Sequence, residues 1–299
     1  MVRAFEAFDG VWERMKRAKA HREAAAKAWS TWLTDYEPYG EWLHIDDDGI
    51  GTLSIRQFSP PPAGIAIELG EWLYNLRAAL DYTAYALAIH NTRRDPPPRD
   101  SEIQFPICES EASFRKNHYR IASLARQHCD WIEAMQPYAN GSVPAHTAIY
   151  WVNHLSRLDR HRQLQVVGGH VTESDPIVML DGEGALLFEP VDPFVFIETG
   201  WDGEGEAVVA RFKVVPASLR DRVQGNPRTA IDPDILEMVR ARTPDVPWLY
   251  FPLSKRLFVI EAIMDANIGL LENDVIGWTR ARYFKRPGDI DADAETIDA

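Results

Sequence analysis

The sequence predicts an α+β protein in which a bundle of long helices carries an antiparallel β-sheet packed at one end. Several long segments place apolar residues at helical spacing, two others alternate apolar and polar residues around Asp-Gly and Gly-Glu turn signals, and no internal repeat runs through the chain. With 299 residues, 45% of them hydrophobic and 10 tryptophans, there is material for a sizeable core.

In the first segment Phe5, Phe8, Val11, Trp12, Met15, Trp29 and Trp32 keep helical spacing between Lys, Arg and Glu, which predicts an amphipathic helix over about 3–33. The stretch YGEWLHIDDDGIGTLSIRQF alternates around an Asp-Gly turn and predicts a β-hairpin over 39–58. Its DDDG run lacks the further acidic ligands of a calcium loop. SPPPAG then opens a helix over 63–92, and DPPPRD closes it. Ser110, three residues before Ser113, caps a helix expected over 111–135. QPYANGSVP is a loop by composition, and a fourth helix is expected over 145–167, ended by Gly168 and Gly169. Asp-Gly and Gly-Glu turns predict short strands over 176–216, a short helix is expected around 233–242, and a last long helix covers 254–284. All of this is expected to form one domain, 1–286, followed by a disordered acidic tail, 287–299, with no basic residue after Pro287.

Composition excludes several classes. No apolar run is long enough to cross a bilayer, and the N-terminus alternates charged and apolar groups, so no membrane contact and a cytoplasmic location are expected. Cys108 and Cys129 lie far apart at no zinc or redox spacing and read as buried thiols. The net charge of −13 repels nucleic acid, so any RNA contact needs a local basic patch. There is no glycine-rich phosphate loop, dinucleotide fingerprint, nucleophile elbow or His-Glu-x-x-His, and no cofactor is expected.

The segment WLYNLRAALDYTAYALAI carries a signal: it is apolar, and its only charged residues are Arg77 and Asp81. They stand i, i+4 on one helix face, with Tyr74 one turn earlier. Charges are rarely buried unless paired, so the pair reads first as an ion pair fixing helix register and second as part of an active site. In NHLSRLDRHR, residues Asn153, Arg157, Arg160 and His161 share a basic face, while His154 and His161 lie seven apart. If that face meets the Arg77 seam, imidazole, guanidinium and carboxylate surround one pocket, which suits an anionic ligand or phosphodiester chemistry. Arg160 and Arg162 read otherwise as a solvated face, the histidines as hydrogen-bonded, and Glu261 and Asp265 as a solvated edge. Trp72, Tyr85, Trp131 and Trp151 read as core. His21, Glu68, His154 and Asp81 sketch a bundle-type metal site, but Glu71 is followed at the Glu-x-x-His spacing by Tyr74, so no metal is expected.

GEWLYNLRAALDYTAYALA and LSRLDRHRQL, with FPIC and IEAMQPY between them, resemble a widespread bacterial family of uncharacterised proteins over residues 68–165. That family's motif reads G-[DE]-x-L-H-N-L-R-x-x-L-D-H, followed by D-K-H-R. More loosely, Arg77 and the position of Tyr82 resemble the arginine and histidine of HEPN-type helical ribonucleases. Tyrosine stands at both histidine positions of the family motif, Tyr74 and Tyr82, and with a pKa near 10 it is a poor general base. The resemblance implies a ribonuclease or RNA-binding protein, in a defence or stress setting, acting as a homodimer on RNA through a local basic patch. Arg77 and Asp81 would organise the site, His161 would act as acid or base, Arg157 would hold phosphate, and Asn153, His154, Tyr74 and Tyr82 would contact substrate. The alternatives are a non-catalytic binding or assembly protein with a structural Arg-Asp seam, and an enzyme acting on a small anionic metabolite.

Overall fold

The computed structural model describes residues 2–139, 143–174, 188–190, 206–214 and 229–277. They form an α+β fold of long helices and antiparallel strands. Seven α-helices are described: α1 (Val2–Tyr36), α2 (Ala63–Thr92), α3 (Glu111–Asn117), α4 (Arg126–Ala134), α5 (Ala148–Asp159), α6 (Leu236–Arg240) and α7 (Leu253–Ile276). The strands are β1 (Tyr39–Ile45), β2 (Ile50–Gln57), β3 (Val166–Ser174), β4 (Phe188–Pro190), β5 (Glu206–Val214) and β6 (Thr229–Ile235). They make a four-stranded sheet in the order β1-β2-β5-β4 and a two-stranded pair, β3-β6. No described helix is long and apolar enough to cross a membrane.

The chain divides into two compact units, and α1, α2 and α7 contribute residues to both. The first unit holds 1–23, 69–163 and 257–299; its described residues are helical or in connecting turns. Its helices bury Phe8, Val11 and Ala18 from α1, Trp72, Leu73, Leu76 and Leu80 from α2, and Ile260, Met264 and Ile268 from α7. Three acids of α7 go inside with them. Glu261 accepts from Trp72 Nε1 and from Arg22 Nε, each at 2.8 Å, and Glu272 accepts from Trp12 Nε1 at 2.9 Å. Glu261 and Asp265 are both buried, not a solvated edge, and at Glu261 indole and guanidinium donors replace the water a buried carboxylate loses. Trp72 and Trp151 are core as expected, whereas Trp131 and Tyr85 are half-buried.

The second unit, 24–68 and 164–256, holds both sheets. Trp29 Nε1 donates to the Ile231 carbonyl at 3.0 Å, tying α1 to β6. The DDDG run closes the β1–β2 hairpin: Asp46 Oδ1 accepts from the backbone N–H of Asp48 at 3.1 Å and of Ile50 at 2.7 Å, and Gly49 takes the left-handed conformation, φ 81°. Asp234, fully buried, accepts from Arg256 at 2.5 Å and Arg242 at 2.6 Å.

The helices expected over 111–135 and 145–167 need correction. The first breaks after Asn117 into a tight turn, His118–Ile121, before α4. There the Arg120 carbonyl accepts from Gln104 N–H at 3.4 Å and the Ile121 carbonyl from Cys129 Sγ at 3.4 Å, partners that a continuous helix would not need. The second ends at Asp159, and the Val166–Gly169 stretch read as its C-terminus opens β3, where Gly168 pairs with Pro233. Buried Leu164 and Val167 fit either pattern, which is why a short apolar run cannot separate strand from helix. The expected helix around 233–242 shortens to α6, because Thr229–Ile235 is strand β6. Parts of the expected strands over 176–216, the end of the last expected helix and the acidic tail lie outside the described residues.

Candidate functional site

Arg77 and Asp81 meet on α2 as their spacing requires, and both hold the backbone of one residue in a distant segment. Arg77 Nη2 donates to Asp81 Oδ1 at 2.9 Å and to the Phe105 carbonyl at 2.6 Å, while the Phe105 N–H donates to Asp81 Oδ1 at 2.9 Å. Phe105 belongs to a stretch outside helix and strand that pairs with no described strand, so its buried backbone groups need side-chain partners. Gln136 continues the clasp: its Oε1 accepts from Cys108 N–H at 2.8 Å, and its Nε2 donates to the Pro106 carbonyl at 2.9 Å. The FPIC run, the Arg77-Asp81 pair and the QPY run that carry the family resemblance thus converge on one segment.

The clasp leaves guanidinium groups over. Arg77 Nη1 and Arg120 Nε are buried without a hydrogen-bond partner among the described residues. The Arg120 backbone lies beside the clasp through the Gln104 bond, and its guanidinium stands 5.5 Å from the Tyr119 ring centroid. Burial lowers the Arg77 pKa, Asp81 opposes it, and the nearby charges of Arg160 and Arg120 lower it further. Burial likewise raises the Asp81 carboxyl, against the pull of Arg77, the Phe105 N–H, Gln104 and Arg120. On both partners desolvation outweighs the attraction, the usual situation of a buried ion pair.

The C-terminal end of α5 brings the other predicted residues. Arg160 is exposed and donates Nε to the Ser156 carbonyl at 3.2 Å; Arg157 and His161 are exposed beside it. No hydrogen bond or ion pair joins His161 to Arg77 or Asp81 among the described residues, and the basic residues whose charge acts on Arg77 are Arg160 and Arg120. His154 instead stacks on Tyr150, ring centroids 5.2 Å apart. Asn153 is half-buried, and its carbonyl accepts from Ser156 Oγ at 3.2 Å. Asp159 packs against α2 where Gly70 leaves room, since a Cβ there would lie 2.5 Å from Asp159 Oδ2. Burial, then Glu71, raises the Asp159 carboxyl.

Tyr74 and Tyr82 serve α1. The Arg14 guanidinium stands 5.4 Å from the Tyr74 ring centroid and 5.3 Å from that of Tyr82, and donates to Tyr82 Oη at 3.2 Å and Asn75 Oδ1 at 3.1 Å. Sequence reasoning missed Arg14, Arg120 and Gln136. Gln136 stands in the QPY run that carries the resemblance and could have been found there; Arg14 and Arg120 sit in ordinary mixed-charge stretches.

Comparison with protein-family models, curated proteins and solved structures gives no match. The site therefore rests on its own geometry. It can hold an oxyanion against guanidinium groups, and it has an exposed imidazole one residue from Arg160. Among the described residues, no group of three His, Cys, Asp or Glu side chains could hold a metal ion.

Proposed function

We propose that the protein binds RNA through its phosphates at the cluster of Arg77, Arg120 and Arg160, and that it acts as a HEPN-like ribonuclease. The observation that carries this reading is the pair of buried guanidinium N–H groups, Arg77 Nη1 and Arg120 Nε, that find no acceptor among the described residues. A buried donor left unpaired costs about 1–3 kcal/mol, more when charged, and a phosphate oxygen is the acceptor guanidinium geometry fits best. Exposed Arg157 and Arg160 supply the outer, solvent-facing contacts that an acidic molecule needs to attract an anion locally. In cleavage the RNA 2′-hydroxyl oxygen attacks phosphorus and gives its proton to His161, the bond to the 5′-oxygen breaks and that oxygen leaves with a proton from solvent, while the arginines neutralise the non-bridging oxygens.

A second reading is favoured by a specific observation: the hydrogen bonds of the Arg77-Asp81 pair tie it to itself and to the neighbouring residues Gln104 and Phe105. On that reading the seam is structural and the protein is a binding or assembly component. A pool of labelled RNAs incubated with the protein, with and without EDTA, beside His161→Ala and Arg160→Ala, separates the two. The ribonuclease reading predicts cleavage that survives EDTA and disappears in His161→Ala, and weakened RNA retention in Arg160→Ala. Intact, unretained RNA throughout leaves the assembly reading standing.

A further inference from the structure

The first unit contains a cavity of about 590 Å³ among the start of α1, the second half of α2 and the loop that follows it. That volume falls within the roughly 300–1,000 Å³ of small-molecule sites. Its polar lining has one sign: Glu6, Asp81 and Asp95 contribute carboxyl groups, Tyr82 and Tyr85 contribute rings, and no lining residue is basic. Ile89 and Ile103 supply apolar wall. Asp81 Oδ1 is engaged by Arg77 and Phe105, whereas Glu6 and Asp95 are exposed. Burial raises the Tyr85 hydroxyl, and the charges of Asp100 and Asp95 raise it further, so the potential beside this wall is negative.

This lining is the inverse of the arginine cluster. Phosphate would be repelled here, and the carboxylates are not grouped to ligate a metal ion. Negative charge spread around tyrosine rings and isoleucine walls matches a larger cation whose charge is delocalised or shielded by carbon. Tyr82 already shows the affinity, carrying the Arg14 guanidinium 5.3 Å from its ring centroid. We infer that this cavity is a binding site for an organic cation, an alkylammonium compound with an apolar body, held by Tyr82 and Tyr85 and by the carboxylates of Glu6, Asp95 and Asp81. The inference is independent of RNA binding.

Isothermal titration of the full chain with benzyltrimethylammonium and choline, beside the neutral choline isostere 3,3-dimethylbutan-1-ol, tests it. Saturable binding of the two cations but not of the alcohol is expected. Tyr85→Leu and Asp95→Asn should each weaken it about 3- to 30-fold, the range a cation–π or exposed charge contact supplies. Glu6→Gln, on the exposed side of α1, should weaken it too, and serves if either other variant melts early. Equal binding of alcohol and cation, no binding of any, or cation binding indifferent to all three substitutions would overturn the assignment.

Discussion

At the scale of single residues, Arg77 explains why the apolar stretch 72–89 carries two charges. Its side chain is 16% exposed and that of its partner Asp81 29% exposed, and together they satisfy both backbone groups of Phe105. Arg77→Ala strands a partly buried carboxylate and a buried carbonyl, so a loss of folding stability on the order of 3–5 kcal/mol is expected in urea unfolding. A loss below about 1 kcal/mol would place the pair among weak surface bridges. His90 gives a pH-dependent counterpart. Burial, then the charges of Arg93 and His128, lower its pKa from 6.5, with Asp274 pulling the other way. The fold thus prefers neutral His90, and its contribution is full above the unfolded value, falling as pH drops through about 6.5 and below. Melting temperatures measured from pH 8 to 5 should decline less steeply in His90→Asn than in the wild type; parallel curves would remove His90 from the acid response.

At the scale of elements, what the sequence made legible followed local chemistry. Helix α2 was readable at both ends because proline runs bracket it, and the β1–β2 hairpin was readable because Asp46 and Gly49 build its turn locally. Strand β6 was not, since TAIDPDI carries a proline and two aspartates, and what stabilises Asp234 is Arg242 and Arg256 further along the chain. The candidate site divides in the same way. The i, i+4 pair was visible in the sequence, while its real partner, a peptide 28 residues beyond Arg77, leaves no mark in residue type because any residue has a backbone. Gly70 was legible only as a motif letter, and its reason is the approach of Asp159 from α5. Gly70→Ala should therefore cost about 1–3 kcal/mol by overpacking, and Asp159→Ala should relieve most of that cost in the double variant. Additive losses in a double-mutant cycle would show that the two helices adjust elsewhere.

At the scale of the whole molecule, a net charge of −13 bears on the proposed phosphate recognition. The charges are not evenly spread: Arg157 stands in the last turn of α5 with Arg160, His161 and Arg162 just after it, Arg115 and Lys116 stand in the last turn of α3 with His118 and Arg120 in the turn that follows, and the charges of Arg160 and Arg120 act on Arg77. A small basic site on an acidic body should bind RNA weakly, with few phosphates engaged and a shallow salt dependence. The most direct measurement is the affinity for single-stranded RNA, by fluorescence anisotropy, as salt is raised, for the wild type and Arg160→Ala. With three arginines each neutralising one phosphate, log Kobs against log salt should fall with a slope of about −2, and Arg160→Ala should make it shallower by about 0.7. No measurable binding at low salt, or binding whose slope Arg160→Ala leaves unchanged, would contradict phosphate recognition at this cluster.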